Sequence, residues 1–200
     1  MAKVQKHSVF IDMTAMSDVT VLLLTFFMLT STFLPLEPVR VTAPASVMEI
    51  KVPDYNVINI LVDLQGKVFV NIDRTEVRLE ALEKMSDEYG ITLDDRQKKA
   101  FLEQPYIGVP MNRLPAFLDL PFGEQDATMR QYGIPNDSTN NQFINWIRKA
   151  REIDSEMKIT IKADQTTPYP LIESVMKDLV KIKANRYSLV TVLRGAPEGF

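Results

Sequence analysis

The chain has no cysteine anywhere in its 200 residues, which excludes disulfides, thiolate metal sites and a cysteine nucleophile. Histidine is nearly absent as well. Its one copy, His7, stands in the N-terminal tail. A histidine-based metal site or a Ser-His-Asp triad therefore has no base in the folded part. Neither sign of charge dominates: the net charge is −3, which offers no strongly basic surface to nucleic acid. No glycine-rich phosphate loop appears either. No enzymatic activity and no cofactor are expected from such a chain.

What the chain does have is one long apolar run. Val19 to Leu36 reads VTVLLLTFFMLTSTFLPL without a charge. A helix from Asp18 to Leu36 would rise about 27 Å at roughly 1.5 Å per residue. The hydrocarbon core of a bilayer is roughly 30 Å thick, so a transmembrane helix is expected over residues 14–36. A cleaved signal peptide is the competing reading, since Lys3 and Lys6 precede the run and Ala43-Pro44-Ala45 looks like a cleavage site. The run is longer than a usual signal core, and an acidic residue stands at its start. Lysine and arginine are almost balanced across it, Lys3 and Lys6 against Arg40 and Lys51. Orientation thus rests on size: a short tail, residues 1–13, stays inside and the domain is exported.

Residues 37–55 carry Pro38, Pro44 and Pro53 and read as an extended linker. Within it Val47 to Val52 alternates well enough to add a strand to a sheet. From 56 to 200 an α+β domain is expected, a small, mostly antiparallel sheet with helices on one face. Ile58, Ile60 and Val62, then Val68, Val70 and Ile72, form the two strands of a hairpin turned at Gln65-Gly66. Leu79, Leu82, Met85 and Tyr89 have helical spacing, as do Phe143, Ile144, Ile147 and Ala150. Met157 to Asp164 alternates like a half-buried strand. Thr167-Pro168 opens a helix with an apolar stripe from Leu171 to Val180. Ser188 to Leu193 reads as a final strand. Between Gly90 and Asp137 five prolines oppose regular structure, apart from one short helix at Thr92 to Glu103 capped by Thr92. Phe101, Tyr106, Phe117 and Phe122 give this insertion apolar area to bury against the domain, and it is expected to be separable from whatever the membrane helix does.

Asp18 is the residue that calls for chemistry. An ionised carboxylate at membrane depth costs upward of about 2.5 kcal/mol, and such groups face protein or water. At roughly 100° per residue, Thr14, Asp18, Thr25 and Thr32 fall within an arc of about 40°. They make a polar stripe along one face, although Ser17, Thr20, Thr30 and Ser31 lie off it. The competing reading makes Asp18 an interfacial helix cap. Asp164, beside Lys162, closes a strand before a turn, an ordinary place for aspartate.

The segment Ile11-Asp12-Met13-Thr14-Ala15-Met16-Ser17-Asp18-Val19, with the apolar run behind it, resembles the start of ExbD/TolR biopolymer transport proteins. Ile161-Lys162-Ala163-Asp164, Pro168-Tyr169, Val175-Met176, Leu179 and Tyr187-Ser188-Leu189-Val190-Thr191 resemble the C-terminal half of that family's periplasmic domain. The two matches stand in the family's order. There are two departures. Ala15 replaces a proline before the membrane aspartate, and the insertion lengthens the domain. The resemblance implies a bacterial inner-membrane subunit, with its domain in the periplasm, whose helices pair inside a ring of an ExbB- or TolQ-like multi-pass partner. It implies that Asp18 carries protons and that the domain, as a homodimer, passes force to a TonB-like protein or grips peptidoglycan. An ExbD-like motor is the first reading. A TolR-like or peptidoglycan-binding scaffold anchored by the same helix is the second.

Overall fold

The computed structural model describes residues 13–31, 37–39, 41, 43, 45–46, 55–137, 140–184, 186–190 and 192–193. The chain divides into two compact units, Met1–Pro35 and Leu36–Phe200. In the first, one helix, α1 (Met13–Thr30), accounts for nearly all the described residues. Its 18 residues rise about 27 Å, long and apolar enough to cross a membrane.

The second unit is built on a four-stranded sheet. Its strands are β2 (Val57–Val62), β3 (Val68–Ile72), β4 (Lys158–Ala163) and β5 (Tyr187–Leu189), in the order β3-β2-β4-β5. A separate two-residue pair, β1 (Ala45–Ser46) and β6 (Val192–Leu193), runs parallel. The final strand expected at 188–193 is thus two short strands in different sheets. The β2–β3 hairpin turns where expected, with Gly66 at φ 81°. The Asp63 side chain, unnoticed in the sequence, organises this turn: its Oδ1 accepts from the amides of Gln65 and Lys67, both at 2.8 Å.

The α+β class is as expected, but strand direction is mixed. The β2–β3 pair is antiparallel, while β2–β4 and β4–β5 are parallel. Alternation within a strand carries no information about direction. Direction is set by the connections, and a parallel neighbour needs a crossover. The link from β4 to β5 is α7 (Tyr169–Lys181), which begins one residue later than expected, behind Pro168. The longer link from β2 to β4 contains α2 (Thr75–Tyr89) and α6 (Gln142–Ile153). Leu82 and Met85 of α2, Trp146 and Ile147 of α6, and Val175 and Leu179 of α7 are buried in one core with the sheet.

Coverage of the sheet also differs from a one-sided design. Ile58, Ile60 and Val62 are fully buried, but so are Val57, Leu61 and Phe69, whose side chains point the other way. The β2 run VINILV is apolar at both parities except for Asn59, which is the mark of two-sided burial. Two segments cover this second face. The first is the start of the presumed linker: Glu37 pairs with Lys162 at 2.6 Å, and Val39 and Val41 lie against the core. The second is the insertion, whose Pro105 carbonyl accepts from the Asn71 side chain. Tyr106 of the insertion is buried there. Burial, with the Glu37 carboxylate nearby, pushes its phenol up to about 12.

The insertion is more regular than its prolines imply. It holds α3 (Asp95–Glu103), a 3-10 turn at Met111–Arg113, α4 (Leu114–Leu118) and α5 (Phe122–Tyr132). Pro115 lies in the first turn of α4, and Pro121 caps α5, where the missing N–H costs nothing. The α3 cap is Asp94, two residues past the expected Thr92. Asp94 accepts from the Gln97 amide and Gln97 reaches back, a full capping box, and such a cap contributes about 1 kcal/mol. Phe101, Tyr106 and Phe117 are buried as expected, whereas Phe122 is 55% exposed. The insertion is also tied to α2. The buried Arg78 guanidinium donates to the Gln104 carbonyl at 2.9 Å and to that of Leu102. Burial lowers the Arg78 pKa, partly offset by Asp73. These ties make the segment part of the core rather than a separable module.

Candidate proton-carrying site

None of the residues of helix α1 is buried. A helix this apolar is suited to a covering of lipid or protein, and by length it can cross a membrane. Three of its hydroxyls, and that of Ser31 just beyond it, are satisfied by backbone carbonyls of the same segment. Thr20 donates to the Met16 carbonyl at 2.8 Å, Thr25 to that of Leu22 at 2.9 Å, Thr30 to that of Phe26 at 2.9 Å, and Ser31 to that of Met28 at 3.0 Å. Threonine and serine in a membrane helix are cheap for this reason.

The carboxylate of Asp18 has no such local acceptor role. Among the described residues no donor or cation of this chain reaches it, and it stands exposed on the helix. Its place on the helix also bears on the capping alternative. The backbone is already helical at Met13, so Asp18 lies more than a turn inside. An N-cap residue precedes the first helical turn. Alanine rather than proline at position 15 is compatible with this unbroken start, because it keeps its N–H and has the best helix propensity.

Thr14, Asp18 and Thr25 share the face that the periodicity assigns to them, all three exposed. Thr32, the fourth member of the expected stripe, lies outside the described residues, as do His7, Asp12 and the segment Val47–Val52. The three positions offer one carboxyl group and two hydroxyls. A carboxyl group is the only titratable one among them, and a threonine hydroxyl can only relay a hydrogen bond.

Among the described residues no cluster of histidine, aspartate or glutamate is arranged to hold a metal ion. Asp164 closes β4 in an Asx turn, accepting from the Thr166 amide at 2.9 Å and its hydroxyl at 2.6 Å. Asp154 does similar work at the end of α6. The Glu156 amide, and then Arg74 at 2.8 Å, hold its carboxyl below the ordinary aspartate range.

The sequence was compared with known families, curated proteins and solved structures. No curated protein and no solved structure matches it. Residues 5–193 match the family described as Biopolymer transport protein ExbD/TolR. That span takes in the aspartate-bearing helix, the mixed sheet and the insertion, and the chain therefore belongs to the ExbD/TolR family.

Proposed function

We propose that the chain is the proton-driven subunit of an inner-membrane motor, with Asp18 as the group that takes up and releases protons. The single observation that carries this reading is a carboxylate more than a turn inside a lipid-length helix, unpaired among the described residues. Such a group must find its partners in a neighbouring protein or in water. The family points to an ExbB- or TolQ-like multi-pass ring as that neighbour. When ionised, Asp18 is held by polar groups of the ring; when protonated, it tolerates apolar contact. One elementary charge crossing the membrane is worth about 2.3 kcal/mol per 100 mV, which biases the alternation in one direction. Two copies of α1 would sit together in the ring. The tail before residue 14 would lie in the cytoplasm and the α+β unit in the periplasm, where it hands force to a TonB-like protein.

Purification of the full chain in mild detergent should bring down a multi-pass membrane protein in fixed stoichiometry. Recovery of the chain alone, with α1 intact, would contradict the motor and favour a simple anchor. A reporter fused after Phe200 reads the orientation in the same cells. It should work only in the periplasm, and activity confined to the cytoplasm would refute that placement.

A further inference from the structure

A sheet has two edges, and each is a template on which another chain can pair. In this protein the two edges are treated differently. β5 is three residues long, too short to recruit a long partner strand. β3 is the hazardous edge. Its sequence, Val68-Phe-Val-Asn-Ile72, has high β propensity, no charge and no proline. Natural edges of this kind usually carry a lysine, a proline or a bulge. β3 has none of these within it.

Three of the outward backbone groups of β3, both of Val70 and the carbonyl of Val68, are instead taken by the insertion. Val70 exchanges both bonds with Ile107: its amide donates to the Ile107 carbonyl at 2.9 Å, and the Ile107 amide donates back at 2.7 Å. The Ile134 amide donates to the Val68 carbonyl at 2.8 Å. Two isolated bridges, one from inside the insertion and one from near its end, thus occupy the edge without forming a strand. Gly108 permits the approach. A Cβ there would stand 2.4 Å from the Phe69 ring and 2.6 Å from Met129.

We propose that the 90–137 segment is an edge guard: it fills the β3 edge so that a second copy of this chain cannot pair there. The occupant excluded is the identical strand of another copy, because β3 against β3 pairs apolar residues at every position on both faces but Asn71. The inference is independent of the proton reading, since it uses only the geometry of the second unit.

The test uses the full chain in detergent. Because the chain has no native cysteine, Asp73→Cys at the end of β3 supplies a single thiol. Gly108→Val, which drives a side chain into Phe69, should lift the guard. The Val70 amide should then exchange faster with solvent, and disulfide-linked dimers through position 73 should rise several-fold over the Asp73→Cys parent. Ile107→Pro is the second variant, deleting the N–H donated to Val70 without adding bulk at Gly108. If the Val70 amide is released in either variant and dimers through position 73 do not increase, the guard is refuted. It is refuted equally if Val70 exchanges as fast in the parent as in a variant.

Discussion

Replacing Asp18 by asparagine is expected to abolish gradient-driven function and to leave assembly with the membrane partner intact. Asparagine keeps the shape and the hydrogen-bonding capacity of a protonated aspartate, but it cannot release a proton. The substitution removes a buried-charge penalty from α1, so helix insertion should improve if it changes at all. No other residue from Met13 to Ser31 can take over the step, because Asp18 is the only ionisable one among them. The measurement is transport or import with the gradient present, alongside co-purification of the partner. Energised transport at the wild-type level in Asp18→Asn, with normal protein abundance, would remove Asp18 from the mechanism. Thr25→Val on the same face should be far milder. The Thr25 hydroxyl already donates to Leu22 within its own helix, so its loss leaves no buried donor unpaired.

Deleting residues 91–136 and closing the gap with a short turn is expected to unfold the second unit. The sequence treats this segment as an insertion, but the core does not. Phe101 stacks on Trp146 at 6.0 Å between ring centroids, and both are buried. Met129 of the insertion and Phe69 of β3, which is fully buried, both stand against Gly108. The deletion would leave Trp146 and Phe69 facing water and take away the carbonyls that receive Arg78. Exposing one large apolar side chain costs about 1.5–3 kcal/mol. Several such losses together reach the whole net stability of a domain, about 5–15 kcal/mol. Trp146 is the only tryptophan, so its fluorescence reports the outcome directly. Its emission should shift to the red and the thermal transition should lose cooperativity. A deletion variant that melts cooperatively with an unshifted emission would show the segment to be dispensable.

The elements legible in the sequence were those fixed by local pattern. The charge-free run after Asp18 gives α1, Gln65-Gly66 gives the hairpin, and strict alternation from Met157 gives β4. What stayed hidden was set by contacts distant in the chain. Whether β4 runs parallel to β2 depends on a connection of about ninety residues, and nothing in the KITIKA run records it. The prolines of the insertion misled for a different reason. Pro115 and Pro121 look like helix breakers by composition, yet each sits at a helix start, where proline is compatible with the fold. The second covered face of the sheet did leave a signal, the apolar Val57, Leu61 and Phe69 at the parity opposite to Ile58 and Ile60.

For the site, the residue itself was legible and its surroundings were not. A carboxylate in a lipid-length helix is conspicuous by cost alone. The proposed function places the groups that receive it on a neighbouring protein or in water. The account therefore stands or falls on whether the Asp18 carboxyl changes protonation as the motor runs. Infrared difference spectra of the assembled complex in vesicles, recorded with and without a proton gradient, test this most directly. The account predicts a protonated-carboxyl band that changes with the gradient in the wild type and is missing from Asp18→Asn. A spectrum in which that band does not respond to the gradient, or responds identically in Asp18→Asn, would contradict it.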